Sequence, residues 1–192
     1  MQAKNKKKKS SKHTVRIHET AQGSPEWFDL RKGRVTASNA WKMLERGYKY
    51  ATEQKPIATT SAMQRGKDLE PEALELYSKI KNDLEILSVG FVTNSKYPNA
   101  GASPDGVLPD KLLEVKCFGR DKHLGITEDS IPPEVMAQVQ MQMMICEMPE
   151  CDLVLYNPEC DPADAIKIIT VQADPLIHKN LAKHLQDGLD IA

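Results

Sequence analysis

The apolar residues of this chain change their period part-way along it, and that change constrains the fold class. Over residues 61–81, Met63, Leu69, Ala73, Leu74 and Tyr77 recur at the spacing of one buried helical face. Over residues 86–93 the pattern alternates as in a strand. Strand-like runs follow at 100–108, broken by the turn Ser103-Pro104-Asp105-Gly106, and at 112–117, 153–156 and 166–171. Ser24-Pro25-Glu26 opens a short helix, with a capping serine before a proline suited to the first helical position. Thr36-Ala37-Ser38 starts a second helix that passes Trp41 and Leu44 and ends near Gly47. Residues 48–58 read as a loop, Ile131-Pro132-Pro133-Glu134 opens a helix to about Cys146, and residues 175–188 form a closing helix. Helices, a strand cluster, one helix, two strands and a last helix predict a mixed α/β fold with a central mixed β-sheet flanked by helices. The sequence has no internal repeat.

At 192 residues the chain fits one domain, which should remove about 70% of its unfolded surface from water and so needs no disulfide or structural metal. No apolar run approaches the roughly 18 residues of a membrane span, and the basic N-terminus lacks the apolar core of a secretory signal. The four cysteines (Cys117, Cys146, Cys151 and Cys160) form no C-x-x-C pair, so reduced thiols in a cytoplasmic protein are expected. The net charge of −1 hides an asymmetry. Residues 1–16 hold seven of the 26 basic residues and no acidic one, leaving 19 basic against 27 acidic residues, or −8, in the rest. Residues 1–14 read as a disordered basic tail, either solubilising or a DNA-tethering arm, and residues 15–192 as the single folded domain. An acidic body can bind nucleic acid only with its positive charge gathered in one place, and with metal ions where carboxylates meet phosphates.

The chemistry gathers in Ser103-Pro104-Asp105 and Glu114-Val115-Lys116. Residues two apart on a strand share a face, so Glu114 and Lys116 point together and Val115 points the other way. Asp105 lies nine residues before Glu114, where a hairpin can return it beside that carboxylate. Two close carboxylates repel, and one takes up a proton unless a cation separates them. A hard divalent cation such as Mg²⁺ accepts such an oxygen-rich site, and the adjacent lysine can activate water or neutralise a phosphate oxygen. By itself E-x-K also describes a surface strand with a Glu–Lys pair. Likewise Glu70, Arg31 and Arg34 can be solvated helix positions, and Trp27 and Trp41 read as core, with base stacking as the alternative.

The spacing P-D-x(8)-E-x-K resembles the nuclease motif of the PD-(D/E)xK superfamily. More narrowly, the chain is similar to the phage-type alkaline exonucleases, the lambda exonuclease and YqaJ-like viral recombinase family. Trp27 to Ser38 resembles a W-x-x-L-R-x-G-x-x-T-A-S motif, and Gly66, Glu70 and Ala73 a G-x-x-x-E-x-x-A helix. The Arg120-Asp121 pair, in a short loop expected at 118–131, resembles the segment after the motif lysine, and Met136-Ala137-Gln138-Val139-Gln140 an M-A-Q-V-Q helix.

The resemblance implies a restriction-endonuclease-like core and a metal-dependent deoxyribonuclease. Asp105, Glu114 and the Val115 main-chain carbonyl would hold metal, with Glu70 direct or through water. Lys116 would orient or activate the attacking water. Gln138 would face the site from its helix, while Gln140 points elsewhere and Gln142, one turn beyond Gln138, is given no role. Arg31, Ser38 and Arg120 would bind the 5′-phosphate of a DNA end. The implied activity is Mg²⁺-dependent digestion of double-strand DNA ends from 5′ to 3′, with Mn²⁺ able to substitute and no iron–sulfur cluster. The implied partners are double-stranded DNA ends and a single-strand annealing protein, in a homotrimeric ring with no membrane association, in the cytoplasm of a bacterial host. Val135 stands where the compared exonuclease has a tyrosine. The rival readings are an endonuclease with the same metal motif, a RecB-like enzyme with an iron–sulfur cluster, and a catalytically dead DNA-binding module.

Overall fold

The computed structural model describes residues 13–53 and 59–190. The expected basic tail, apart from His13 and Thr14, lies outside the described residues. In chain order the elements are β1 (Val15–His18), α1 (Pro25–Arg31), β2 (Val35–Thr36), α2 (Ala40–Arg46), α3 (Tyr48–Thr52), α4 (Ser61–Ile80), β3 (Phe91–Asn94), β4 (Tyr97–Ala102), β5 (Gly106–Val107), β6 (Lys111–Lys116), α5 (Arg120–Gly125), α6 (Pro133–Cys146), β7 (Glu150–Tyr156), β8 (Ile166–Gln172) and α7 (Pro175–Leu189). Short 3₁₀ turns fill Ala37–Asn39 and Glu128–Ser130.

The mixed α/β class holds, but the strands divide into two sheets of four, β1-β3-β4-β2 and β5-β6-β7-β8, in place of one central sheet. Each contains one parallel pair, β2 with β4 and β6 with β7. Helix α6 lies between the sheets. Ala137, Met141 and Ile145 pack with Val92, Ala100 and Ala102 of the first sheet and with Leu181 and Leu185 of α7. Val135, Val139 and Met143 pack with Leu112, Leu153 and Leu155 of the second. A helix gripped from both sides must be apolar nearly all round, and nine of its residues are buried. On the opposite face of the second sheet, Ala73 and Tyr77 of α4 cover Leu113, Val115, Val154 and Tyr156.

Caps set several boundaries. Ser24 Oγ accepts from the Trp27 N–H at 3.2 Å, and Thr60 Oγ1 accepts from the Met63 N–H at 3.2 Å. Helix α6 stops at Glu147, which adopts a left-handed conformation (φ 55°). There Asn94 Nδ2 donates to the Ile145 carbonyl and to Glu147 Oε1, both at 3.0 Å, tying the helix end to the first sheet.

Four boundaries differ from the sequence expectations. The helix expected from Thr36 begins as a 3₁₀ turn and becomes α-helical only at Ala40. The expected loop at 48–58 contains α3, because Tyr48 packs beneath Gly188 of α7, where an added Cβ would lie 2.2 Å from the Tyr48 ring. The strand expected over 86–93 shortens to β3, with Leu87 making only an isolated bridge to Val107. Residues 118–131 are not plain loop but carry α5 and a 3₁₀ turn.

Candidate active site

Strand β6 organises the site. Its alternation sends Leu112 toward α6 and Leu113 and Val115 toward α4. Glu114 and Lys116 follow Leu112 toward α6. The hairpin β5–β6 pairs Gly106 with Leu113, which brings the preceding Asp105 back beside the strand end. Asp105 N donates to the Leu113 carbonyl at 3.1 Å, and Val115 N donates to Asp105 Oδ2 at 2.7 Å. The turn is therefore hooked to β6 by backbone and side chain together. Gly106 permits it: a Cβ there would lie 2.5 Å from Ile86 Cγ2.

Glu114 is 2% exposed and its carboxylate is held on both oxygens. Lys116 Nζ and Gln138 Nε2 donate to Oε1, the latter at 2.5 Å, and Gln142 Nε2 donates to Oε2 at 2.6 Å. Gln138 thus meets Glu114 from α6, although it is not among the residues that line the cleft. Gln140 points away, to the Gln172 carbonyl and the Asp174 N–H, as expected. Gln142 was missed. A residue four beyond Gln138 lies on the same helical face, which is how both amides reach one carboxylate.

Glu70, Asp105, Glu114, Val115 and Lys116 line one cleft of about 710 Å³, with Met63, Arg65, Lys67 and Phe118 among its other walls. Burial, then the charges of Glu114 and Glu70, push the Asp105 carboxyl well above the usual carboxylate range. Burial and Glu114 also raise Glu70. Burial opposes the charged form of Lys116, but the surrounding carboxylates, Glu114 first, outweigh it and hold the ammonium above the ordinary lysine value. Lys116 is thus a fixed cation at neutral pH rather than a free base.

Among the described residues, no three His, Cys, Asp or Glu side chains form a ready-made metal cage. Hydrogen bonds to Glu114 and Asp105 take up oxygens that a cation would need. The donor chemistry nonetheless fits a hard divalent ion: carboxylate and carbonyl oxygens only, with the repulsion that raises Asp105 and Glu70 relieved by positive charge.

Arg65, also missed, spans the cleft wall. Its Nη1 donates to the carbonyls of Cys117 (2.8 Å) and Phe118 (3.1 Å), and its Nη2 to Asn157 Oδ1 (2.9 Å).

The three residues expected at a DNA end are not among the cleft's lining. Arg31 stacks its guanidinium 3.9 Å above the Trp27 ring, its Nε is buried without a hydrogen-bond partner, and burial lowers its pKa to about 10. Ser38 is exposed in the 3₁₀ turn, 3.1 Å from Thr36 Oγ1. Arg120 is exposed and donates to the Glu159 carbonyl at 3.0 Å. Trp27 is half-buried at the turn that leads to Asp105, while Trp41 packs against the core between α6 and the first sheet.

The model of the YqaJ-like viral recombinase domain matches residues 26–149, roughly two thirds of the chain. The chain belongs to that family. This YqaJ-like domain also resembles solved exonucleases. The crystal structure of LHK-Exo in complex with dAMP superposes with a TM-score of 0.77 at 27% identity, covering 88% of this chain and 92% of that one. A second structure of that alkaline exonuclease, from Laribacter hongkongensis, gives 0.74 at 26% identity over the same shares. A phage-related exonuclease from Haemophilus somnus 129PT shares the fold, with a TM-score of 0.53 at 14% identity over 81% of each chain. No curated protein matches the chain by sequence. Among the described residues, no helix is long and apolar enough to cross a membrane.

Proposed function

We propose that this YqaJ-like protein is a divalent-metal-dependent deoxyribonuclease that digests duplex DNA from 5′-phosphorylated ends, 5′ to 3′, leaving a 3′-ended single strand. The observation that carries the reading is the convergence of Glu70, Asp105, Glu114 and Lys116 in one cleft, with Glu114 held by Gln138. Asp105, Glu114, Glu70 and the Val115 carbonyl would hold Mg²⁺, or Mn²⁺ in its place. When bound, the metal polarises the phosphodiester and lowers the pKa of an attacking water.

The chain's own residues do the rest. Lys116, beside Glu114 at the cleft wall, would present its ammonium to the scissile phosphate or to the water. Gln138 and Gln142 prevent Glu114 from rotating as charge develops. The water oxygen bonds to phosphorus, the P–O3′ bond breaks, and a proton reaches the departing O3′. From a 5′-phosphorylated end this releases a deoxynucleoside monophosphate, the ligand class named for the similar LHK-Exo. Arg31, its guanidinium held flat on the Trp27 ring, would offer its terminal nitrogens to a 5′-phosphate, with Ser38 and Arg120 as further contacts. A trimeric ring would keep an acidic body on DNA by topology, and its single-stranded product would pass to an annealing protein.

The test compares linear duplexes bearing 5′-phosphate or 5′-hydroxyl ends with a closed circle, in Mg²⁺ and in EDTA. Mg²⁺-dependent loss of the 5′-phosphorylated strand with the circle intact is expected. Cutting of the circle makes the enzyme an endonuclease, and binding without cutting makes it a DNA-binding module.

A further inference from the structure

Helix α4 carries Glu70 to the cleft, and its apolar packing against the second sheet reaches forward only as far as the partly buried Leu69. Its buried residues are Ala73 and Tyr77, both beyond Glu70, and residues 61–64 are exposed. Glu70 faces Glu114 and Asp105, whose charges repel it. Ahead of Leu69, the visible tie of the helix to the end of β6 is polar.

Arg65 lies five residues before Glu70 on the same helix. Its guanidinium gathers the Cys117 and Phe118 carbonyls, immediately after Lys116, and the Asn157 side chain at the end of β7. Asn157 is fully buried and completes the link: its Nδ2 donates to the Phe118 carbonyl at 3.1 Å, while its Oδ1 accepts from Arg65 and from the Glu159 N–H at 3.0 Å. Its own N–H is fixed to the Ala165 carbonyl at 2.8 Å. Glu159 adds an ion pair to Arg65 at 3.7 Å. One planar fork thus joins α4, the end of β6 and the end of β7, a task that a lysine's single nitrogen cannot perform.

We infer that Arg65 and Asn157 are positioning residues that set the separation between Glu70 on α4 and the Asp105–Glu114–Lys116 group on the β5–β6 hairpin, and so set the affinity of the cleft for its metal. The inference rests on the metal-dependent reading above.

The test is Mn²⁺ titration of the full chain by calorimetry without DNA, alongside melting temperature and the Mg²⁺ dependence of cleavage. Wild type is compared with Arg65→Met, the isosteric Asn157→Asp, their double variant and the ligand control Asp105→Asn. Arg65→Met should weaken Mn²⁺ binding about tenfold or more, as loss of a group that orients metal ligands does. The Mg²⁺ concentration for half-maximal cleavage should rise in step, with KM for DNA ends unchanged. Asn157→Asp keeps an acceptor for Arg65 but loses the donor to Phe118, so it should fall between wild type and Arg65→Met. The double variant should be no worse than Arg65→Met, because both act through one unit. Wild-type Mn²⁺ affinity in Arg65→Met and Asn157→Asp overturns the inference, whatever their melting temperatures. So does a rise confined to KM for DNA, which would make Arg65 a DNA contact. Wild type that binds no Mn²⁺, or Asp105→Asn that binds it normally, removes the metal reading itself and the inference with it. Should Arg65→Met fail to fold, Asn157→Asp carries the same test.

Discussion

The indole N–H of Trp27 donates to Ser103 Oγ at 3.1 Å, two residues before Asp105 in the chain. The same N–H reaches the Gly90 carbonyl at 3.0 Å, which Ser103 Oγ also meets at 2.7 Å. The helix that carries Arg31 is therefore fastened to the turn that carries a proposed metal ligand. Arg31 in turn rests on the Trp27 ring. In the proposed enzyme, recognition of a strand end and cleavage beside it share one aromatic hinge point.

Arg31→Ala should lower kcat/KM on 5′-phosphorylated ends about tenfold or more, since charge-assisted contacts to phosphate are the strong ones. Ends bearing a 5′-hydroxyl should change little. Arg31 keeps its charge at neutral pH, because burial lowers its pKa only to about 10. Equal losses on both substrates, measured side by side, would remove Arg31 from end recognition.

Lys116→Ala should reduce single-turnover cleavage by about 100-fold or more, the scale of losing one preorganised charge at a transition state. DNA binding should persist, because the groove is unchanged. Binding assays and cleavage rates on the same preparation separate the two, and a parallel loss of both would count against a catalytic charge at this position.

Gln142→Leu leaves Glu114 Oε2 without its buried donor. An unsatisfied charged oxygen in such a place costs about 1–3 kcal/mol or more. Denaturant unfolding should register that loss, and cleavage should fall as Glu114 gains freedom. Gln140→Leu provides the contrast: its bonds go to the Gln172 carbonyl and the Asp174 N–H, so it should destabilise without a specific effect on metal dependence.

The raised Asp105 carboxyl gives the metal-free protein a pH dependence of defined sign. Burial first, then Glu114 and Glu70, hold its folded pKa above the unfolded one. Below the unfolded value both states are protonated and the group contributes nothing. As pH climbs from there toward the folded value, the unfolded chain releases a proton that the folded chain retains, so stability falls and then levels off. In EDTA the melting temperature should therefore drop as pH rises above about 4, the ordinary value of an unfolded aspartate, and level off once pH passes the raised folded value. Asp105→Asn should flatten that slope. Mg²⁺ should raise the melting temperature more at the upper end, where its carboxylate ligands are more fully ionised. An identical slope in Asp105→Asn would exclude this carboxyl as its source.

What the sequence disclosed follows its local rules. Strand alternation put Glu114 and Lys116 on one side, and the turn at Pro104 and Gly106 returned Asp105 to them, because both relations span few residues. Gln138 emerged through the motif, while Gln142, placed one turn further on, was given no role because the motif does not include it. Arg65 carried no such mark. Its partners are two backbone carbonyls and an asparagine 92 positions away, and no period or motif encodes a bond to a distant carbonyl. Helix α3 was invisible for a related reason: five residues carry too little pattern, and its Tyr48 is placed by Gly188 at the other end of the chain. Periodicity identified most of the strands but not their partners, so a single central sheet was expected where two share α6 between them.

The parallel pairing of β6 with β7 has a consequence for how the protein is made. Residues Lys111–Lys116 align with residues 150–155, so the strand bearing Glu114 and Lys116 gains that neighbour only after α5 and α6 have crossed between them. Gln138, Gln142 and Asn157 arrive on the same late segment. A chain still emerging from the ribosome can hook Asp105 to the hairpin but cannot yet fix Glu114, whose glutamine partners lie on α6, and long-range pairings of this kind form slowly. Synthesis itself thus delays the proposed activity: the cleft becomes competent only after β7 and Asn157 have been made.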